Sequence, residues 1–242
     1  MNLPLEILYR DSHLVAIDKP AGLLVHRSKI AREATEFALQ RLRDQIGQAV
    51  FPVHRIDRPT SGVLLFALNS NIAAKMTTQF QARTIRKTYQ AIVRGFAPEK
   101  GTWDEPLLEK LDRMTDGKAN QNKPAQPAVT QFKTVAKWSI PFSAGKYPSS
   151  RYSHVVAYPK TGRKHQLRRH FNHMAHPIIG DTTYGDRRHN RLFTEHLGNN
   201  RLLLVAKELT FQHPCSGLPI TVTADLGEPF ERTIQKLDAF NQ

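Results

Sequence analysis

Apolar and polar positions fall in short blocks along this chain, and the blocks change period where Pro and Gly occur. Glu6-Ile7-Leu8-Tyr9-Arg10 and Leu14-Val15-Ala16-Ile17-Asp18 are apolar runs split by the polar turn Asp11-Ser12-His13, which predicts a pair of short strands. Lys19-Pro20-Ala21-Gly22 breaks the second strand, and Leu23-Leu24-Val25-His26-Arg27 resumes an extended pattern. From Ala31 to Ile46 the period lengthens. Ala34, Ala38, Leu39, Leu42 and Ile46 fall near one helical face, and Gly47 ends the helix. Val63-Leu64-Leu65-Phe66-Ala67-Leu68 is apolar without a break, the pattern of a strand buried on both faces. Asn69 or Ser70 caps a second helix, in which Ile72, Met76 and Phe80 recur at every fourth position as core packing.

Thr88 to Gly95 sets Tyr89, Ala91 and Val93 against Gln90 and Arg94, the period of a half-buried strand. The stretch from Glu99 to Gln126 is polar and predicts an irregular excursion, mobile around Thr115 to Asn122. Ala128–Val135 and Tyr152–Tyr158 read as strands, with the basic loop Gly145-Lys146-Tyr147-Pro148-Ser149-Ser150-Arg151 between them. A helix is predicted from Lys164 to Met174, stopped by Pro177. Leu202–Ala206, Leu209–Gln212 and Pro219–Ala224 read as closing strands, and Pro229–Phe240 as a terminal helix. There is no internal repeat and no Pro/Gly/Ser linker. The economical reading is one domain over residues 1–242, of the α/β (α+β) class.

Composition narrows the setting. An apolar content of 40% and a mean hydropathy of -0.47 suit a water-soluble globular core. No apolar stretch approaches the ~18 residues a membrane span needs, so no membrane partner is expected. The first residues lack a leader pattern, and the single Cys215 excludes an internal disulfide, so a cytoplasmic location is expected. Lys and Arg outnumber Asp and Glu by 35 to 21, a net charge of +14. That excess points to a polyanion, and nucleic acid is favoured over a membrane surface because no basic amphipathic helix is present. Phosphate-loop and dinucleotide Gly motifs are absent, as are H-E-x-x-H and any Cys pair. His165, His170, His173 and His176 have no carboxylate among them, and Arg163, Lys164, Arg168 and Arg169 repel a cation. No metal and no cofactor are expected.

Two stretches carry candidate chemistry. In His54-Arg55-Ile56-Asp57-Arg58-Pro59-Thr60-Ser61-Gly62 a lone carboxylate sits between two cations at the mouth of the apolar strand. The residues alone leave open a surface ion pair or a permanently ionised working carboxylate. In Gly162-Arg163-Lys164-His165-Gln166-Leu167-Arg168-Arg169-His170 basic residues crowd a helix start, which fits either a phosphate site or an exposed basic helix. Leu167 beside Arg168 lets that Arg point inward while Arg163, Lys164 and Arg169 face solvent.

Taken with Lys87-x-Tyr89-x-Ala91-x-Val93-x-Gly95, Asp18-Lys19-Pro20-Ala21-Gly22-Leu23 and His176-Pro177-Ile178-Ile179-Gly180-Asp181, these motifs resemble, in order and over nearly the whole chain, the RluA family of pseudouridine synthases. The resemblance implies the fold of that family, a mixed, largely antiparallel central sheet with flanking helices and an RNA-binding cleft. It also implies isomerisation of uridine in RNA without redox input, cofactor or metal. By the same resemblance Asp57 is the carboxylate at the sugar, either attacking C1′ or removing the 2′ proton. Tyr89 stacks on the base and assists proton transfer, and Arg168 pairs with Asp57. His54, Arg55, Arg163, His165, Gln166 and Leu167 are assigned to substrate binding, Arg55 as the wedge that replaces a flipped base. Arg43-Asp44-Gln45-Ile46-Gly47-Gln48, the Asp57-Arg58-Pro59 variant, Gln126-Pro127-Ala128-Val129-Thr130 and the Tyr147-to-Tyr152 loop are most similar to members that modify uridine 65 of certain tRNAs. A large-subunit ribosomal uridine is the alternative target, and a non-catalytic RNA-binding protein the alternative class. The chain departs from many members in having Val205 where they carry His, and no separate S4-like module is expected before the catalytic pattern. A monomer is expected.

Overall fold

The computed structural model describes residues 3–26, 36–109 and 124–240. The part of the first predicted helix before Glu36, and the stretch Thr115–Asn122, lie outside these residues. The strands form a ten-stranded sheet in the order β1-β2-β4-β9-β5-β8-β7-β6, with β3 on β4 and β10 on β9. They comprise β1 (Ile7–Arg10), β2 (Leu14–Lys19), β3 (Phe51–Pro52), β4 (Ser61–Ala67), β5 (Arg86–Arg94), β6 (Lys100–Asp104), β7 (Val129–Ile140), β8 (Ser150–Pro159), β9 (Leu204–Gln212) and β10 (Pro219–Thr223). Pairing is antiparallel at β1–β2, β2–β4, β3–β4, β5–β8, β6–β7, β7–β8 and β9–β10. The helices are α1 (Ala38–Ile46), α2 (Ser70–Gln81), α3 (Gln166–His173), α4 (Arg187–Leu192) and α5 (Glu228–Asp238). The backbone groups into two compact units, each drawn from separate stretches of chain.

The first unit takes Met1–Lys87, Pro106–Gln126 and Ala206–Asp225. Its centre is β4, buried at every residue. Val63, Leu65 and Ala67 join Leu14, Ala16, Leu209, Phe211, Val222 and the Ile72 and Met76 side of α2. Leu64, Phe66 and Leu68 join Val15, Ile17 and the Ala38 and Leu42 side of α1. A strand with a helix on each face has no polar side, hence its unbroken apolar run. Burying each Leu or Phe contributes about 1.5–3 kcal/mol, so β4 is a firm base for the loop before it. The Asn69 side chain accepts the Ile72 N–H at 2.9 Å, capping α2 as its sequence predicts. Gly47, in the left-handed region at φ 67°, closes α1. Leu23–Arg27 departs from the extended reading. Leu24 makes one bridge, to Phe37, and the chain then bends, while Arg27 lies outside the described residues.

The second unit takes Thr88–Glu105, Pro127–Val205 and Leu226–Gln242. Leu167 and Phe171 of α3 pack with Ala91, Val93, Val155 and Ala157. On another apolar cluster Phe230 and Leu237 of α5 pack with Ile92, Trp138, Tyr152 and Phe193. Four details differ from the sequence expectation. The polar stretch after Glu99 contains β6, whose alternating exposure needs an inward residue only at Gly101 and Trp103. β7 continues past Val135, where a register shift between Thr134 and Ala136 marks a bulge that interrupts the alternation. β9 is one strand, because half-buried Lys207 reaches the Ala224 carbonyl with its ammonium and does not break the ladder. Finally, Arg187–Leu192 is helical and runs into a π-helical turn, Phe193–Leu197. Asp186 caps it by accepting the Arg188 N–H at 2.9 Å. Among the described residues no helix is long and apolar enough to cross a membrane.

Candidate active site

In the first unit the loop from His54 to Thr60 leads into β4, and three devices hold it. Asp57 and Thr60 close a turn through the Thr60 N–H on the Asp57 carbonyl, 3.0 Å. Beneath that turn lies Lys19, which has no exposed surface. Its ammonium donates to the carbonyls of Pro20 (2.8 Å), Leu23 (2.8 Å) and Arg58 (3.2 Å), so the buried charge is met by three acceptors. The Arg58 carbonyl also accepts the Gly22 N–H at 2.8 Å, and the Arg58 Nε–H returns a bond to the Gly22 carbonyl at 3.0 Å. The residue following Asp57 is thereby pinned from two sides.

The second device is His54. Its Nε2 accepts the Leu65 N–H at 3.0 Å, and its ring stacks on Phe80 with centroids 5.0 Å apart. A ring nitrogen that accepts an N–H is unprotonated, so this histidine is neutral. Burial, then the Lys87 charge, pushes its pKa down to about 3. Lys87 in turn is lowered to about 8, first by burial and then by Arg83. Gly62 is the third device. At φ +110° its backbone lies so close to β9 that a Cβ would sit 2.3 Å from the Ala206 carbonyl oxygen. On this frame Asp57 is half-buried, while Arg55 and Arg58 are exposed.

In the second unit the basic helix start is more buried than its sequence suggests. Gln166 through Phe171 are all buried, Arg168 at 4% and Arg169 at 7% exposure, so Arg169 does not face solvent as expected. A helix enclosed on most sides has no purely polar face, and its cations are then held by partners or along their stems. Gln166 spends its whole amide on the fold. Its Oε1 accepts from the Thr161 hydroxyl (2.6 Å) and the Arg163 N–H (3.1 Å), and its Nε2 donates to the Val129 carbonyl (3.0 Å) and the Thr130 hydroxyl (3.1 Å). Arg163 is half-buried and donates from Nε to the Pro127 carbonyl at 3.1 Å. Leu167 shares an apolar cluster with half-buried Tyr89, which stands opposite Ala157 on β8.

Arg168 is held by the carboxylate of Asp181, which closes the downstream His176-to-Asp181 motif. Its Nε and Nη2 donate to Asp181 Oδ2 and Oδ1 at 2.7 and 2.8 Å, a bidentate pair. Burial acts to raise the Asp181 carboxyl, but Arg168 and the N–H groups of Tyr184 and Thr183 outweigh it and hold the pKa below the ordinary value. Tyr184 lies with its ring 5.2 Å from the guanidinium carbon of Arg168, and its hydroxyl meets His165 Nδ1 at 2.9 Å. His165 itself is left-handed, φ 57° and ψ 28°, at the cap of α3. The other histidines of the cluster have local partners. His170 meets the Thr130 hydroxyl at 2.9 Å, and His173 meets the Glu105 carboxylate at 2.8 Å.

The first unit thus brings His54, Arg55 and Asp57 onto one braced loop. The second packs Tyr89 against Leu167 of α3, with Arg168 the next residue on that helix and His165 at its cap. Lys19, Asp181 and Tyr184 are the residues to which sequence reasoning gave no part.

An α/β chain with a large antiparallel sheet, flanking helices and these two motif-bearing segments has the architecture of pseudouridylate synthases. The solved structure of human RNA Pseudouridylate Synthase Domain Containing 4 matches at a TM-score of 0.70 and 29% identity, covering 96% of this chain and 93% of that one. The profile described as RNA pseudouridylate synthase matches residues 13–173, and the chain belongs to that family. Among curated relatives it is similar to tRNA pseudouridine synthase C of Vibrio cholerae, 53% identical over 94% of this chain and 93% of the relative. It is likewise similar to that of Haemophilus ducreyi, 55% identical over 95% and 94%.

Proposed function

We propose that this protein converts uridine to pseudouridine in tRNA, at uridine 65, with Asp57 as the carboxylate that works at the sugar. The similarity over nearly the full length of relatives named tRNA pseudouridine synthase C carries the reading. The reaction breaks the N1–C1′ bond, turns the uracil in place, joins C5 to C1′, and moves the C5 proton to solvent while N1 gains one. Nothing is oxidised or reduced. What it requires is a fixed carboxylate, an oriented cation, an aromatic face for the base and a way to extract that base from its stack.

The chain supplies residues for each need. Asp57 stands on a loop pinned by Lys19 and Gly22, which limits the motion of its backbone. Arg168 is the cation, oriented by Asp181. Tyr89 offers a half-buried ring beside Leu167 in the same apolar cluster. Extracting a base from a paired stem costs a few kcal/mol. Exposed Arg55 is assigned to fill the gap, since a planar guanidinium stacks on neighbouring bases. Arg163 and His165 contact the RNA; Gln166 holds the Arg163 backbone, and His54 braces the loop that carries Arg55 and Asp57.

Tritium release from tRNA labelled at uracil C5 tests the assignment. Asp57→Asn keeps the volume and removes the charge, so release is expected to fall by at least about 10³-fold with tRNA affinity retained. Turnover by that variant at a tenth of the wild-type rate or more would sink the assignment of Asp57. Mapping pseudouridine in tRNA from a strain lacking the protein tests the position, and an unmodified uridine 65 is expected.

A further inference from the structure

We propose that Tyr184 is a positioning residue for Arg168, in which the ring holds the guanidinium and the hydroxyl holds the cap of α3. This rests on the reading of Arg168 as the cation of the reaction. Asp181 grips one edge of the Arg168 fork with both oxygens, fixing the plane of the guanidinium along that edge. A second restraint comes from the Tyr184 ring, over which the guanidinium carbon lies 5.2 Å from the centroid.

The two restraints share one turn. Asp181 Oδ1 accepts the N–H groups of Thr183 (2.9 Å) and Tyr184 (3.0 Å), and the Asp181 carbonyl accepts from Gly185 N–H (3.1 Å) and Asn190 Nδ2 (2.9 Å). That turn is so tight that a Cβ at Gly185 would lie 2.1 Å from the Asp181 carbonyl oxygen. Tyr184 is therefore carried into place by the same carboxylate that holds Arg168.

The hydroxyl reaches a different target. His165 adopts a left-handed backbone that is strained for a non-glycine residue, and its Nδ1 lies 2.9 Å from Tyr184 Oη. That bond offsets the strain at the residue from which α3 starts, within one helical turn of Arg168. One side chain thus touches α3 at its cap and at its functional cation. A charged group held in its working orientation before the substrate arrives spends no reorganisation energy during the reaction, and that is what the ring secures for Arg168. The hydroxyl secures the presentation of His165 to RNA.

The two roles separate in steady-state kinetics with tRNA. Tyr184→Phe keeps the ring and loses the hydroxyl, so KM rises severalfold while kcat falls at most about threefold. Tyr184→Leu loses the ring, and kcat falls about 10²-fold, the scale of a misplaced catalytic group. The deciding measurement is the cycle with Arg168→Ala, with circular dichroism and tRNA affinity recorded for every variant. If Tyr184 acts through Arg168, adding Tyr184→Leu to Arg168→Ala lowers kcat no further. An equal fall in both backgrounds overturns the positioning role and leaves a structural one. A normal loss in Arg168→Ala with unchanged kcat in Tyr184→Leu overturns the inference alone. Unchanged kcat in Arg168→Ala overturns both the inference and the reading on which it rests. Should Tyr184→Leu fail to fold, Tyr184→Phe decides, and a kcat as low as that of Arg168→Ala refutes the ring's part.

Discussion

His54 accepts a backbone N–H at the nitrogen that protonation would occupy, so this one bond ties folding to pH. Burial and Lys87 lower its pKa from the ordinary 6.5 to about 3 in the folded chain. Between those values the unfolded chain carries a proton that the folded one does not. The contribution is thus present above pH 6.5 and lost as pH falls towards about 3. His154 adds to the same limb, lowered to about 4 by burial, which outweighs the opposing pull of Asp238. In urea unfolding followed against pH, the wild type is expected to lose stability progressively across this window. His54→Gln flattens that limb, because an amide oxygen accepts the Leu65 N–H without titrating. An unchanged limb in the variant removes His54 as a cause.

At the scale of elements, the start of β4 against β9 leaves no room for a side chain. Gly62→Ala places a methyl 2.3 Å from the Ala206 carbonyl at a φ that an L side chain rarely adopts, and a loss of about 3 kcal/mol or more is expected. Chemical denaturation measures it, and a loss under 1 kcal/mol refutes the close approach. The elements also show what a sequence reveals. β4 and α2 are legible because burial on two faces and an Asn cap each leave a local pattern. β6 and α4 are hidden because an alternating edge strand or a short basic helix needs few apolar residues, here Trp103 and Leu192. The site divides the same way. The Asp57 loop is recognisable from adjacent residues, whereas the partnership of Arg168 with Asp181 joins positions 13 residues apart through a turn that no periodicity announces. The enclosure of Arg169 is hidden for a related reason, since it depends on what surrounds α3 and not on α3 itself.

The whole molecule carries a net charge of +14, and a polyanion bound to it displaces counterions. If about 6–10 phosphates are neutralised, tRNA affinity falls by about 10³–10⁵ between 50 and 200 mM salt. Filter binding across a salt series measures the slope. A fall of less than tenfold would show that phosphate contacts contribute little to recognition.

In the first unit Leu209, Phe211 and Val222 belong to the same apolar cluster as Leu14 and Ala16, although they are far apart in sequence. A ribosome adding about 5–20 residues per second therefore leaves β2 and β4 waiting many seconds for their partners in β9 and β10. Through that interval the apolar residues of β4 lack Leu209, Phe211 and Val222 and stay open to contact with other chains. The message for β9 and β10 must be read before β2 and β4 can finish folding.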